Sequence, residues 1–343
     1  MTRKYRRIIA AFYAAPWAIL ESKLDAIEEF LNLKAQGTDL TLEEIQARIA
    51  GDRNKPVARQ AESVAVVPVF GVIAHRMDAL TEISGGTSSE RLAREIRALG
   101  ADPGVSAIVL DVDSPGGTVS GMTELAAEIR EVRKSKPVIA VANATMASAA
   151  YWLASAASEV VVTPSGMVGS IGVLSLHVDE SGKNEKDGRK VTVFRSGPNK
   201  GSDLLPLSQE AAEERQAHVD AFAVQFRVDV AKGRDISIAT VKESFGEGRM
   251  FSAKEAVSLG MADRVDTLDD VLAGVVTGQW VSPRAAHQPE RLAATQPMPQ
   301  IEMTPAASGA EPVAGEDAAL NEIDAADAHQ RRVRARLLEL SNA

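Results

Sequence analysis

Three short runs carry residue types that together could cleave an acyl bond. Ser148 stands in Ala144-Thr-Met-Ala-Ser-Ala-Ala-Tyr-Trp-Leu-Ala154, downstream of Asp113-Ser-Pro-Gly-Gly117 and upstream of Ser196-Gly-Pro-Asn-Lys200. In that order they offer a hydroxyl nucleophile, a glycine turn whose backbone N–H groups can face a developing negative charge, and an amine that can take a proton. Each has an ordinary structural reading as well. Asp113–Gly117 would serve as a simple strand-to-helix turn, Ser148 as a helix N-cap, and Lys200 as a solvated loop charge.

The elements that would position these runs are legible as apolar patterns. Val64 to Ala74, Ala107 to Val112 and Pro137 to Ala142 are expected strands, alternating with helical patterns over Ser88 to Leu99 and Ser120 to Lys134. Such βαβ alternation predicts a largely parallel sheet covered by helices. The strand Ala107–Val112 runs into Asp113–Gly117, with a helical pattern from about Thr118, so Gly116 and Gly117 sit at a helix start that favours negative charge. The strand Pro137–Ala142 leads through Asn143–Ala147 into Ser148 and an apolar helix over Ala149 to Ala157. There the Ala149 N–H would be a second oxyanion donor.

A serine hydroxyl needs a base. Of the five histidines, His75, His177, His218, His287 and His329, only His177 follows Ser148 closely, after the expected strand Gly169–Leu174, and it is the competing base. Lys200 is better arranged, in a Gly/Pro loop after an expected strand at Val191 and before a long helix. It accepts a proton only if it is uncharged, which burial away from water would favour. Lys183, Lys186 and Lys190 are rivals in a polar, loop-like segment, Glu180–Lys190.

Composition narrows the field. The chain has 343 residues, 45% of them hydrophobic, and a formal net charge of −9, with both signs interspersed through its centre. That supports a substantial core and argues against a nucleic-acid partner. With no Cys, thiol catalysis and thiolate metal sites are excluded; no His-Glu-x-x-His cluster exists, so no metal or other cofactor is expected. The apolar stretch Ile8 to Leu20 follows the basic run Arg3–Arg7 as an export signal would, but it is short of the ~20 residues a span needs and is broken by Pro16. It continues into Trp17–Leu31, where Leu20, Leu24, Ile27 and Leu31 recur at helical spacing, so the expectation is a docking helix and no stable membrane anchor.

Three regions are expected: a helical extension over 1–60, with a second helix at Thr41–Ile49 opened by a Thr41/Glu44 capping box; an α/β domain over 61–280; and a Pro-, Ala- and Glu-rich disordered tail over 281–343, whose end could form a helix.

Taken together, Asp113-Ser-Pro-Gly-Gly117, Ala147-Ser-Ala-Ala-Tyr151, Gly169-Ser-Ile-Gly172, Ser196-Gly-Pro-Asn-Lys200 and Gly248–Asp263 resemble the signal peptide peptidase A family of Ser/Lys peptidases, over roughly residues 61 to 275. Within it, the Pro16–Leu20 element and the extra tail resemble the phage branch of capsid-assembly (prohead) proteases. The resemblance implies a Clp protease/crotonase-like fold and cofactor-free hydrolysis through an acyl-enzyme. It also implies Ser148 as nucleophile, Lys200 as general base, Ser170 as the hydroxyl that supports the lysine amine, and Gly116 or Gly117 with Ala149 as oxyanion donors. The substrate would lie extended along Gly169, Ile171, Gly172 and Val173, with small apolar side chains preferred. Implied partners are scaffold protein, portal or coat protein, the chain's own tail, and further copies in a ring. The implied place of action is the prohead, in the host cytoplasm. Membrane-anchored relatives have Gly-Gly after the nucleophile and an acidic residue after the lysine, where this chain has Ala149-Ala150 and Gly201. A bacterial peptidase degrading membrane-released peptides, a crotonase-type acyl-CoA enzyme and a non-catalytic capsid component are the other function classes.

Overall fold

Apolar strand residues that alternate between two buried faces set the architecture. The computed structural model describes residues 8–9, 12–35, 59–61, 63–76, 86–197, 200–201 and 206–280. All fall in one compact unit, Met1–Pro289. The expected helix at Thr41–Ile49 and the tail beyond 280 lie outside the described residues.

The main sheet is built from β2 (Arg59–Ala61), β3 (Val64–Phe70), β6 (Ala107–Ser114), β8 (Val138–Ala147), β9 (Glu159–Val162), β10 (Met167–Gly169), β11 (Met250–Ser252) and β12 (Arg264–Val265). Strands β3, β6 and β8 run parallel, in register Val66, Val109 and Ile139. Beyond β8 the sheet forks: residues 139–142 pair with β9 and residues 145–147 pair with β10, both parallel. Strand β8 is therefore longer than its apolar run. It continues through Asn143 to Ala147, because β10 supplies backbone partners for residues whose own types do not favour a strand.

Successive strand residues point to opposite faces. On one face Val67, Val69, Leu110, Val112, Ala140 and Ala142 join the principal core. It is roofed by α2 (Ser89–Ala101), α3 (Met122–Val132), α4 (Ala149–Ala154) and α6 (Gln209–Arg234), through Ile96, Met122, Ile129 and Phe226. On the other face Val64, Val109, Ile139, Val141 and Val161 pack under Val271 of α9 (Leu268–Val276). Each such side chain, fully buried, contributes about 1.5–3 kcal/mol. The remaining helices are α1 (Glu21–Ala35), α5 (Ser181–Lys186), α7 (Ile238–Ser244) and α8 (Ala253–Ser258). No helix among the described residues is long and apolar enough to cross a membrane.

A second, smaller sheet has the order β1 (Trp17–Ile19), β7 (Gly116–Thr118), β4 (Ile73–Ala74) and β5 (Thr87–Ser88). It corrects two expectations. Trp17–Ile19 is a strand and not the start of the docking helix, which begins at Glu21 and buries Leu24, Ile27 and Leu31 as its spacing requires. Gly116–Thr118 is also a strand, so α3 starts later than expected, after Gly121. Two further expected strands do not form: Gly169–Leu174 is strand only up to Gly169, and Val191–Arg195 has no strand partner.

Beyond the reach of α9, Asp111 shares the lower face of β6 with Asp113. Burial foremost, with Asp113 adding to it, holds the Asp111 carboxyl above the ordinary range; the hydrogen bond from Asn143 Nδ2 (3.1 Å) works the other way. A carboxyl raised in the folded state binds its proton more tightly there than in the unfolded chain. Its contribution to stability is full at low pH and is lost as pH climbs through and above the ordinary Asp value of about 4. Asp111→Asn is accordingly expected to raise the melting temperature at neutral pH and to flatten its fall as pH rises above the ordinary Asp value of about 4. A lower melting temperature in thermal scans at pH 7 would contradict this.

Candidate active site

The glycine turn is held open by its surroundings. At the end of β6 the register against β8 shifts between Val112 and Ser114, and the chain turns into the second sheet. Ser114 Oγ donates to Gly71 O at 2.6 Å and accepts from Gly116 N at 3.2 Å. Gly116 has φ +102, and a Cβ on Gly117 would lie 1.7 Å from Ile73 O. Only glycine lets these two backbones approach so closely, which sets this segment apart from an ordinary strand-to-helix turn.

Ser148 follows the last residue of β8 with φ 53 and ψ −118, a conformation that costs a non-glycine residue on the order of 1–3 kcal/mol. It is fixed there because its N–H donates to Gly169 O (2.8 Å) and its carbonyl accepts the first helical bond, from Trp152 N (2.9 Å). The side chain makes no capping bond. Its hydroxyl is buried and has no hydrogen-bond partner among the described residues. The oxygen of an N-cap serine would accept a hydrogen bond from a backbone N–H of the first helical turn; this one does not. Ala149 is the first residue of α4, where an N–H has no partner within the helix.

The platform under Ser148 is rigid. Every residue of α4 is fully buried. Tyr151 OH donates to Met261 O (2.9 Å), and the Trp152 ring stacks on Phe226 at 4.4 Å. The Trp152 indole N–H reaches Asp229 (3.0 Å), which also accepts from Arg130 (3.1 Å). Arg133 Nη1 gathers the carbonyls of Ala156, Ala157 and Gly233. The second half of α6 is thereby locked to α3 and α4. Breaking a buried ion pair of the Arg130–Asp229 kind typically costs about 3–5 kcal/mol. Sequence reading missed this clamp, since a buried Asp within a charged helix gives no periodic signal.

Strand β10, parallel to residues 145–147, brings Gly169 and Ser170 alongside. A Cβ on Gly169 (φ +139) would lie 2.3 Å from Arg249 O, and Ser170 (φ 55) donates its N–H to the same oxygen at 2.8 Å. Beyond them Ile171 enters the principal core and Val173 packs against it. Gly116 and Gly169 thus lie directly beside Ser148: a Cβ on Gly116 would stand 3.0 Å from Ser148 Cβ, and Gly169 O accepts the Ser148 N–H, with Ser170 to Val173 continuing from Gly169.

Lys200 does not join them in the single chain. It is exposed in a turn, its N–H donating to Gly197 O (3.3 Å), and the Ser148 hydroxyl touches neither it nor His177, whose buried Nε2 is likewise without a partner. The approach to Lys200 is exposed too, with Phe194 93% accessible. Lys183, Lys186 and Lys190 are also exposed, the first two on the short α5. Among the described residues no group of three or more His, Asp or Glu could hold a metal ion.

Residues 130–282 match peptidase family S49. The chain is 35% identical over 246 residues to the capsid assembly protease C of Escherichia phage lambda, covering 69% of this chain and 55% of that protein. It is 32% identical over 248 residues to head-tail preconnector protein GP5 of Enterobacteria phage P21, covering 72% of this chain and 49% of that one. A putative signal peptide peptidase SppA of Enterococcus faecium is 27% identical over 240 residues, covering 68% and 65%. The chain therefore spans about half the length of the two phage relatives. Among solved structures, a ClpP1 of Listeria monocytogenes aligns over 60% of this chain and 92% of its own at 14% identity, with a TM-score of 0.39.

Proposed function

We propose, from the premise that this chain carries a peptidase family S49 domain, that it is a serine endopeptidase of capsid assembly. The observation that carries the proposal is Ser148 itself: a buried, unbonded hydroxyl on a strained backbone at a strand-to-helix elbow, beside the Gly116 backbone. Ser148 Oγ attacks the peptide carbonyl and passes its proton to the Lys200 amine. The N–H groups of Ala149 and Gly117 hold the oxyanion, that of Gly116 being engaged by Ser114 Oγ, and the amine's proton goes to the leaving nitrogen. Water then resolves the acyl-enzyme by the same route.

Lys200 serves as base only when uncharged, which requires burial it lacks in the isolated chain. Lys200 and the exposed residues 189–192 before it therefore close onto the site when substrate or a neighbouring copy covers it, and there the Ser170 hydroxyl supports the amine. This is why a homo-oligomeric ring belongs to the proposal. The substrates are scaffold protein, other capsid proteins and the chain's own tail, inside the prohead in the host cytoplasm. What supports that choice is the likeness to the two phage proteins.

The test is co-expression with candidate scaffold and coat proteins, comparing the wild type with Lys200→Ala and reading new termini by mass spectrometry. The wild type is expected to produce discrete termini and the variant none. Identical termini from both would remove Lys200 from the mechanism.

A further inference from the structure

A strand of this chain, β1, lies beside Ser148 and is hydrogen-bonded on both of its edges. On one side Trp17, Ala18 and Ile19 run antiparallel to Thr118, Gly117 and Gly116. Val119 N donates to Pro16 O (3.3 Å) and Leu20 N to Pro115 O (2.9 Å). On the other side Trp17 exchanges both backbone hydrogen bonds with Leu174, each 2.9 Å. Bonded pairs in an antiparallel ladder recur every second residue, so Ala18 and Gly117 are the bonded pair between those two, and the Ala18 carbonyl faces the Gly117 N–H.

The position of that carbonyl is the informative part. A Cβ built on Gly116 would lie 2.2 Å from Ala18 O and 3.0 Å from Ser148 Cβ, so the two meet at one glycine. Ala18 is fully buried in the principal core, and Ser148 is only 1% exposed. The flanking side chains point the other way. Trp17 and Ile19 pack with Phe12, Leu24, Ile27, Phe30, Leu31 and Val72, and the Trp17 indole donates to Phe12 O (2.9 Å). A strand that inserts between two chain segments, one small side chain inward and its carbonyl toward the oxyanion glycines, has the geometry of a bound peptide substrate.

We propose that Trp17–Ile19 is an internal pseudosubstrate: it fills the peptide cleft with Ala18 in the place of the residue on the acyl side of the scissile bond, and Ser148 becomes accessible only when this strand leaves. The proposal rests on Ser148 being the nucleophile. Being tethered, the strand competes with incoming peptide at a high effective concentration, so a substrate gains entry by displacing it. Helix α1 and its apolar contacts act as the latch.

The test measures the rate at which a fluorophosphonate labels Ser148, with the adduct located by peptide mapping, in the wild type, Trp17→Ala and the conservative Trp17→Phe. Trp17→Ala is expected to label at least about tenfold faster than the wild type, Trp17→Phe to stay close to the wild type, and a synthetic peptide of residues 12–20 to slow the Trp17→Ala reaction. Should Trp17→Ala fail to fold, hydrogen exchange on the wild type decides: a peptidyl boronate bonded to Ser148 must expose the amides of Trp17 to Leu20. Equal labelling rates in folded proteins, or unchanged exchange at those amides with Ser148 occupied, would overturn the proposal while leaving Ser148 as nucleophile. A Ser148 that labels in none of the chains refutes the nucleophile assignment, and the pseudosubstrate falls with it.

Discussion

Ser148→Ala is expected to reduce peptide hydrolysis by on the order of 10⁴-fold or more and, at the same time, to raise the melting temperature. The first effect follows from losing the attacking atom. The second follows from the local physics. The hydroxyl is buried without a partner, and an unsatisfied buried polar group costs roughly 1–3 kcal/mol, which alanine removes while keeping the methyl-sized volume. The positive φ remains in alanine, so Ser148→Gly should be more stable still, by relieving the backbone as well. A serine kept for packing would behave the opposite way, with hydrolysis retained and stability lost. Thermal unfolding and peptide hydrolysis measured on the same three proteins separate the two cases.

Gly117→Ala carries the next largest effect. The added methyl would stand 1.7 Å from Ile73 O, 2.5 Å from Ile73 C and 2.7 Å from Ile73 N, all of them backbone atoms in the strand paired to it. Nothing flexible is available to yield, so β7 and β4 must separate. Overpacking of this kind costs about 1–3 kcal/mol, and losing one oriented oxyanion donor lowers turnover by about 10²–10³-fold. The expected variant is therefore folded, less stable and nearly inactive. Turnover equal to that of the wild type would show that this turn does not hold the oxyanion.

The buried sheet was legible because parallel strands covered on both faces are written as continuous apolar runs: the expected strands Val64–Ala74, Ala107–Val112 and Pro137–Ala142 contain β3, β6 and the start of β8, although the first breaks after Phe70 and its end, β4, joins the second sheet. Ser148 was legible for the same reason, as the residue between such a strand and an apolar helix. What escaped was structure created by pairing alone. Gly116–Thr118 contains two glycines, poor strand formers, and is a strand only because β1 and β4 flank it. Trp17–Ile19 continues without a break into a helical pattern, and nothing local distinguishes a strand trapped in a cleft from the first turn of a helix. Conversely, Val191-Thr-Val-Phe-Arg195 has strand composition, yet it pairs with no strand among the described residues. Lys200 shows the same limit at the site. Its residue type and order along the chain suit a base, but sequence order carries no information on burial, and in this structure Lys200 is exposed.

The account stands or falls on where the acyl group goes. Quenching the enzyme with acid during turnover of an activated peptide ester, and mapping the mass increase, tests this most directly. The prediction is a single acyl adduct on Ser148, absent from Ser148→Ala. An adduct on another residue, or hydrolysis that persists unchanged in Ser148→Ala, would contradict it.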